Sequence, residues 1–379
     1  MLDSGNLWHQ MKKRFNTFGG SLLACAFLCG QTAFGQTRPT PPPQPTTGPG
    51  SNQYLYGVLQ SGPFVVSGKG KNSGYTYYTY TPIGLTPSPS DPNPLPTPTS
   101  APVVLFLCAE DRGATAPSDY LFLLTQLTSM GFSTVFANYN TGGLQKNYLA
   151  VIQADLADAL NTLATNSTLV PPALDSSGQP LYTVVGHSEG GYLAVNLAAT
   201  AVGAGLPIPQ AVVSFEANSS KLAAFNPQGI NANTLVILVI GNDDTEGRIC
   251  PSVTLWTEMT QIALVNRPFI YVQSDTHGSP AQLGNHWFPL TYTSKDTDPP
   301  GTTVDDRDWN ITFKLSVAAT ACVMNGVYCD YALGNGPLNP DGTTTQTEMG
   351  YWSDGTIVKP LELVPDPYKA FASDSCPIN

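Results

Sequence analysis

The sequence predicts an α/β fold: a mostly parallel central sheet with an antiparallel entry hairpin, helices on both faces and no large lid domain. Strand-like and helical segments alternate along most of the chain, which is typical of this class. The later strand-like segments are apolar throughout, as expected where helices cover both faces of a parallel sheet. The first two strand-like segments have no helix between them, so we expect them to form the antiparallel hairpin.

The strands are predicted from apolar or β-branched runs that are bounded by turn residues. Two of them, "GPFVVSG" and "YTYYTYTP", form the entry hairpin. A Pro-rich segment over residues 86–102 follows, and we interpret it as a long loop. The remaining strands are predicted at "PVVLFLCA", "FSTVFANY", "YTVVGHS", "QAVVSFEA", "TLVILVIG" and "PFIYVQ".

Helices are predicted where apolar residues recur at three- and four-residue spacing. Ser118 or Asp119 is expected to cap the first helix, and Gly131 to end it. The tail after the last helix carries no helical pattern, so we expect loops and a short hairpin there. The helical segments are "SDYLFLLTQLTSM", "NYLAVIQADLADALNTLAT", "EGGYLAVNLAATAV", residues 252–264 and "WNITFKLSVAATACVMNG".

The composition excludes two classes of partner. The 379 residues carry a formal net charge of -11, and only 11% of them are charged. A low charged content fits an exported protein better than a cytosolic one. The negative charge argues against nucleic acid and against anionic membranes as partners.

The N-terminal segment has the pattern of an export signal. A basic "MKKR" precedes the apolar run "SLLACAFLCG", and "AFG" before Gln36 matches a cleavage site. We therefore predict that residues 1–35 are a signal peptide and that the protein is secreted or periplasmic. Lipoprotein anchoring through Cys25 is the alternative. No transmembrane segment is expected in the mature chain, because no other apolar run is long enough.

Three further segments complete the predicted domain organisation. Residues 36–53 include "TRPTPPPQPTTGPG", and we predict a Pro-rich linker that is extended and poorly packed. Residues 54–335 form the α/β domain. Residues 336–379 form a C-terminal extension packed on that domain.

Five cysteines remain once the signal peptide is removed. Cys108 lies in an apolar strand and is expected to be a buried free thiol. Cys322 could pair with Cys329, and Cys250 with Cys376, since an exported protein can form disulfides. Spacing alone does not determine the pairing. No Cys/His spacing resembles a zinc site, and we predict neither a metal nor a cofactor.

The run "GHSEG" fits G-x-S-x-G, the pattern of a nucleophile on a sharp strand-to-helix turn. Glycine is needed two positions before and two after the serine, because the strand and helix backbones approach each other there. The serine oxygen then lies at a helix N-terminus, which offers free N–H groups and a partial positive charge. A buried strand precedes Ser188 and a helix follows it, so we predict that Ser188 is a catalytic nucleophile.

An acid and a base should follow the serine in the order Ser…Asp…His. The strand "TLVILVIG" ends in two acids, and we prefer Asp244 over Asp243 as the acid that orients the base. Glu216, at the end of the preceding strand, is a third candidate. For the base we prefer His277, because it lies in "SDTHG", only a few residues after the last predicted strand. His286 is the alternative; it lies further along the chain, and its neighbours in "HWF" indicate a packed or pocket-lining role.

The oxyanion of an acyl-transfer reaction needs two backbone N–H donors. One should be the N–H of Glu189. The other should come from the loop "EDRGATAPSDY", where we choose Asp111, with Glu110 or Arg112 as substitutes. The Glu189 carboxylate is expected to point away, because a negative charge would oppose the oxyanion.

These features resemble the α/β-hydrolase superfamily over about residues 54–333. The matching segments are the entry hairpin, "GHSEGG", "GNDDT" and "SDTHG". The chain looks most like lipase-type and dienelactone-hydrolase-type esterases, including cutinase-like polyester hydrolases. The resemblance implies the fold and hydrolysis by a Ser-His-Asp triad. Two features depart from it: the oxyanion loop lacks the usual small or aromatic pattern, and Glu189 stands where these esterases often carry Met or Gln.

The expected function is therefore that of a secreted serine hydrolase, esterase or lipase-like, which cleaves small-molecule or polymeric carboxylic esters through an acyl-enzyme on Ser188. Residues 217–234 leave no room for a helical lid, so we expect an open site. A serine peptidase or amidase on the same fold is one alternative. A non-catalytic binding protein with the α/β-hydrolase fold is the other.

Overall fold

A nine-stranded, mostly parallel sheet runs through the protein in the computed structural model. The strand order is β1-β2-β4-β3-β5-β6-β7-β8-β9. The structure describes residues 38–70, 75–88, 91–110, 115–140, 147–219, 222–291 and 303–376. The described residues from Pro39 onward cluster as one compact unit.

The entry hairpin and the parallel region are both present, although β1 begins at Gly57, five residues before the predicted segment "GPFVVSG". Strands β1 and β2 pair antiparallel, and β2 also pairs antiparallel with β4. From β4 through β3, β5, β6 and β7 to β8 every pairing is parallel. The strands are β1 (Gly57–Val65), β2 (Thr76–Ile83), β3 (Val103–Leu107), β4 (Ser133–Ala137), β5 (Tyr182–His187), β6 (Ala211–Phe215), β7 (Leu235–Gly241), β8 (Phe269–Val272) and β9 (Glu362–Leu363).

Seven α-helices lie within the described residues. A π-helical turn over Asp308–Phe313 leads directly into the fifth. Gly131, with φ 101°, follows the first helix at the turn into β4. The helices are α1 (Leu121–Ser129), α2 (Tyr148–Thr165), α3 (Glu189–Thr200), α4 (Cys250–Glu258), α5 (Lys314–Asn325), α6 (Cys329–Leu333) and α7 (Pro367–Ala370).

Helices cover both faces of the sheet. Thr183 of β5 hydrogen-bonds Thr320 of α5 across 3.0 Å. Side chains alternate between faces along a strand, so Gly186 of the same strand faces the opposite side. There it lies against Gly190 of α3. Every residue of the central strands β3 to β7 is buried, which explains why both faces of these segments are mostly apolar.

The segment that the sequence predicts to be a loose linker lies against the domain wherever it is described. The side-chain amide of Gln126 donates a hydrogen bond to the carbonyl of Ser51 at 2.9 Å. Thr40 and Ser353 exchange two hydrogen bonds, one of them to the Ser353 hydroxyl. Because these backbone groups have partners in the domain, residues 39–53 are part of its packing.

The C-terminal extension completes one edge of the sheet. Strand β9 pairs antiparallel with β8. The buried indole of Trp352 donates to the carboxylate of Asp275, in the segment that follows β8. The extension also holds the short helix α7, which the sequence does not predict. Asp366 caps this helix by accepting a hydrogen bond from the N–H of Lys369.

The cysteines form the two pairs that the sequence left open as possibilities. Disulfides join Cys250 to Cys376 and Cys322 to Cys329, while Cys108 is free and buried. Two disulfides fit an oxidising compartment such as the periplasm or the extracellular space. Among the helices of the described ranges, none has both the length and the apolar character needed to span a membrane.

Candidate active site

Ser188 occupies the sharp turn between β5 and α3. Its backbone has φ 59° and ψ -126°, a strained conformation for a residue with a side chain. The turn depends on two glycines. A Cβ on Gly186 would overlap the carbonyl of Gly190, and one on Gly190 would overlap the carbonyls of Leu107 and Cys108. The strand and helix backbones can therefore meet only because both positions are glycine.

Two hydrogen bonds connect Ser188 to a histidine and an aspartate. Ser188 Oγ lies 2.8 Å from His286 Nε2, and His286 Nδ1 lies 3.0 Å from Asp244 Oδ2. All three residues are buried. Since a carboxylate can only accept, Nδ1 carries a proton and Nε2 is free to accept the proton of the serine. This arrangement suits nucleophilic catalysis with a general base.

The structure does not bring His277 to Ser188, in contrast to our expectation. The His277 side chain is 40% exposed, and its Nε2 lies 2.8 Å from the Asp354 carboxylate of the C-terminal extension. After β8, residues 275–282 form a narrow loop that leads away from the sheet and back, here called the excursion. Two backbone hydrogen bonds between Asp275 and Gln282 close it. His277 lies within this excursion, away from Ser188. The segment that follows Gln282 brings His286 to the site.

The returning chain is attached to the end of β7. The N–H of Asp243 donates to the carbonyl of Gly284 at 2.8 Å, so the residues after Gly284 run beside Asp244. Buried Arg307 holds the base of the excursion, because its guanidinium donates to the carbonyls of Gln273 and Gln282. The sequence signal that indicated a packed position, the apolar pair after His286, belongs to the histidine that reaches the serine.

Asp244 is held as a carboxylate. Its Oδ1 accepts the backbone N–H groups of Glu246 and Gly247 at 2.9 and 2.8 Å. Burial alone would raise the pKa of Asp244, but hydrogen bonds from His286 and Glu216 outweigh it, so the pKa lies well below its usual range. A permanently charged Asp244 keeps the Nδ1–H of His286 oriented.

The two other candidate acids have different surroundings. Asp243 is exposed, and its carboxylate accepts the hydroxyl of Ser274 at 2.5 Å, which stabilises the excursion after β8. Glu216 is fully buried at the end of β6, with φ 50°, and accepts the N–H of Gly241 at 2.8 Å. Burial, and then the charge of Asp244, raise the pKa of Glu216 well above its usual range. These surroundings favour the neutral form of Glu216 beside the charged Asp244.

Glu216, Asp244 and His286 also bring possible ligand atoms within 4.8 Å of one another, which is the spacing of a metal site. The nearest atoms of Asp244 and His286 already bond to each other, and the neutral form favoured at Glu216 is a poor ligand. We therefore assign these three residues to a hydrogen-bonded network.

His187, the residue before the nucleophile, fixes the backbone of His286. Its Nε2 lies 2.7 Å from the His286 carbonyl, and its Nδ1 lies 2.8 Å from the Tyr120 hydroxyl. Burial lowers the pKa of His187 to about 3, so the ring is neutral. A carbonyl can only accept, so the single ring proton is on Nε2 and Nδ1 accepts from Tyr120. The sequence offers no signal for this role.

The Glu189 side chain points towards the nucleophile, which corrects our expectation that it points away. Its Oε2 lies 2.7 Å from Ser188 Oγ, and the residue is 5% exposed. Burial raises the pKa of the Glu189 carboxyl, whereas its contact with Ser188 lowers it to a smaller extent. The side chain is directed inward, and the serine hydroxyl is its nearest hydrogen-bond partner.

The expected oxyanion donors are only partly described. The N–H of Glu189 lies at the start of α3, directly after the serine. Asp111 and Arg112 lie outside the described residues. Glu110 is described, and its carboxylate accepts the hydroxyl of Tyr148 at 3.2 Å.

A cavity of about 490 Å³ lies at the amino ends of the parallel strands, opposite the carboxyl ends where Ser188 lies. Its lining includes Pro180, Pro209 and Thr234, which precede β5, β6 and β7, whereas Ser188 follows β5. Neither histidine nor cysteine lines this cavity. It is therefore separate from the Ser188 site and has no comparable acid–base pair.

No model of a known protein family matches the sequence, and no curated protein matches it significantly. The function must therefore be inferred from the geometry of the site.

Proposed function

We propose that the protein is a serine hydrolase that cleaves carboxylic esters through an acyl-enzyme on Ser188. The hydrogen-bonded chain from Ser188 through His286 to Asp244, on a strained strand-to-helix turn, carries this proposal. We replace His277 by His286 as the proposed base.

The fold supports the proposal through the order of the three residues. Ser188 follows β5, Asp244 follows β7 and His286 comes after β8. These strands belong to the parallel region, so their carboxyl ends lie on the same side of the sheet. The entry hairpin and the following parallel strands agree with the resemblance to α/β-hydrolases noted in the sequence. We therefore propose membership of that superfamily.

In the proposed reaction, His286 Nε2 takes the proton from Ser188 Oγ as that oxygen attacks the ester carbon. Asp244 stabilises the imidazolium that forms. The tetrahedral intermediate collapses, and His286 returns the proton to the leaving alcohol. Water then attacks the acyl-serine with the same base, releasing the carboxylic acid and restoring Ser188.

The developing oxyanion needs N–H donors at the start of α3. We propose Glu189 as one donor. We keep Asp111 as the second, on the loop after β3 that usually supplies this group in the fold.

The substrate class and location are also proposals. The described residues between 222 and 234 contain only a three-residue 3-10 turn, Pro227–Gly229, so they supply no helical lid. We propose small or polymeric esters as the substrates. The two disulfides support export. The predicted signal peptide, residues 1–35, lies outside the described residues.

A fluorophosphonate probe tests the proposal directly, because it labels an activated serine. We expect the wild type to be labelled and Ser188→Ala not to be. A panel of p-nitrophenyl esters from acetate to long acyl chains, compared with aminoacyl amides, should show faster turnover of esters. Labelling or ester turnover that survives Ser188→Ala would rule out Ser188 as the nucleophile, and faster amide turnover would favour a peptidase.

A further inference from the structure

The Glu189 carboxyl contacts the oxygen atom that the proposed reaction uses. Glu189 Oε2 lies 2.7 Å from Ser188 Oγ, and His286 Nε2 lies 2.8 Å from the same atom. All three residues are buried. The serine hydroxyl has one proton, so it can donate to Glu189 or to His286 but not to both.

An ionised Glu189 would compete with His286 for the proton of the serine hydroxyl. A carboxylate only accepts hydrogen bonds, and a bond to a charged acceptor is stronger than one to a neutral ring nitrogen. The serine would then donate to Glu189. The carboxylate would also attract the backbone N–H of Glu189, which is the expected oxyanion donor. Both groups that the reaction needs would be occupied.

A protonated Glu189 removes this conflict. Its O–H donates to Ser188 Oγ, the serine O–H donates to His286 Nε2, and Nδ1–H of His286 donates to Asp244. Each contact then has one donor and one acceptor, and the serine proton faces the base. The buried position of Glu189 favours this neutral form.

We propose that Glu189 is a further catalytic residue, a carboxylic acid that must be protonated for Ser188 to act. The proposal rests on the proposed serine-hydrolase function. Glu189 keeps its proton throughout, and His286 carries the proton that moves. The neutral carboxyl acts as a hydrogen-bond donor at the reacting oxygen, and its ionisation stops the reaction.

Burial of the carboxyl favours its neutral form. Burial raises the pKa of Glu189, and repulsion by Glu110 raises it further. Bonds to Ser188 and to its own N–H, and attraction by His286, lower the pKa to a smaller extent. The facing titratable groups among the described residues are Cys108, Glu110, Tyr120, Tyr139, Tyr148 and His286.

The pH dependence of fluorophosphonate labelling tests the role of Glu189. The wild-type rate should fall as pH rises through the raised pKa of Glu189. Glu189→Gln cannot ionise and still donates, so its rate should not fall and should exceed the wild-type rate about tenfold at alkaline pH. Glu189→Ala has no carboxylate to compete for the serine proton, so its profile should also lack the alkaline fall. Glu362→Gln, an exposed acid on β9, controls for the loss of charge.

Two results would overturn the proposal: a Glu189→Gln profile with the same alkaline fall as the wild type, or one that is slower at every pH. A wild type that is never labelled would instead contradict the hydrolase function. An infrared difference spectrum between wild type and Glu189→Gln separates a failure of the Glu189 proposal from a failure of the hydrolase function. We expect a band of a neutral carboxyl group that persists at pH values where an ordinary glutamate is ionised. This band should shift in Ser188→Ala. A group that ionises in the ordinary range would overturn the Glu189 proposal whatever the labelling result.

Discussion

His187 Nε2 donates a hydrogen bond to the backbone carbonyl of His286 across 2.7 Å, so the residue before the nucleophile holds the segment that carries the base. The ring is neutral and buried, and Tyr120 fixes its other nitrogen. The distance between Ser188 and His286 therefore depends on His187 as well as on the turn itself.

His187→Phe tests this relationship, because it keeps an aromatic ring but removes the bond to the His286 carbonyl. We expect kcat for an ester to fall roughly tenfold to a hundredfold, since small displacements of a catalytic group are costly. KM should change little. Circular dichroism and the melting temperature check that the fold is retained. An unchanged kcat would show that the bond does not position His286.

His286→Ala and His277→Ala form a matched pair for the identity of the base. We expect His286→Ala to lose roughly a thousandfold in kcat/KM, because the general base is removed. His277→Ala should remain within about twofold, since this ring is largely exposed and contacts Asp354. Loss of turnover in His277→Ala alone would restore our expectation from the sequence.

Glu216→Gln tests whether the buried acid behind Asp244 is neutral. A glutamine can accept from the N–H of Gly241 and donate to Asp244, as a protonated glutamate does. We expect Glu216→Gln to keep kcat within about threefold, whereas Glu216→Ala should lower both kcat and stability by leaving Asp244 without this donor. A large loss in Glu216→Gln would mean that Glu216 acts as a charged acid.

The buried carboxyl of Asp155 should make the free energy of unfolding depend on pH. This buried carboxyl of α2 has no hydrogen-bond partner among the described residues, and burial raises its pKa from 3.8 to about 9. The folded state therefore binds the proton more tightly than the unfolded chain does. Its stabilising contribution is complete below about pH 4 and is lost as pH rises towards 9.

Asp155→Asn should remove this dependence, because the amide stays neutral. We expect it to raise the free energy of unfolding by roughly 2 kcal/mol near neutral pH and by less in acid. Urea unfolding at several pH values measures the effect, with the exposed Asp91→Asn as control. An equal effect at all pH values would contradict the assignment of a raised pKa to Asp155.

The two disulfides should contribute unequally to stability. The Cys250–Cys376 bond closes a separation of 126 residues, and the Cys322–Cys329 bond a separation of 7. In the chain-entropy description these correspond to about 5 and about 2 kcal/mol. Thermal unfolding of the two double-alanine variants should therefore show the larger loss for the first. The reverse order would show that native contacts, rather than loop closure, dominate.

The alternation of strands and helices, the entry hairpin and the turn at Ser188 could be predicted from the sequence alone. These features depend on local patterns, namely apolar periodicity and glycine where backbones must meet. The cysteine pairing required the fold, because spacing left several pairings open. The acid after β7 was also predictable, because carboxyl ends of parallel strands meet at one edge of the sheet.

The choice of the histidine that meets the serine, and the direction of the Glu189 carboxyl, depend on the folded structure. The distance along the chain favours His277, but the paired excursion between Asp275 and Gln282 turns it outward and returns His286 to the site. The direction of Glu189 follows from what surrounds the start of α3. Both outcomes depend on contacts between residues distant in sequence, and no local pattern specifies such contacts.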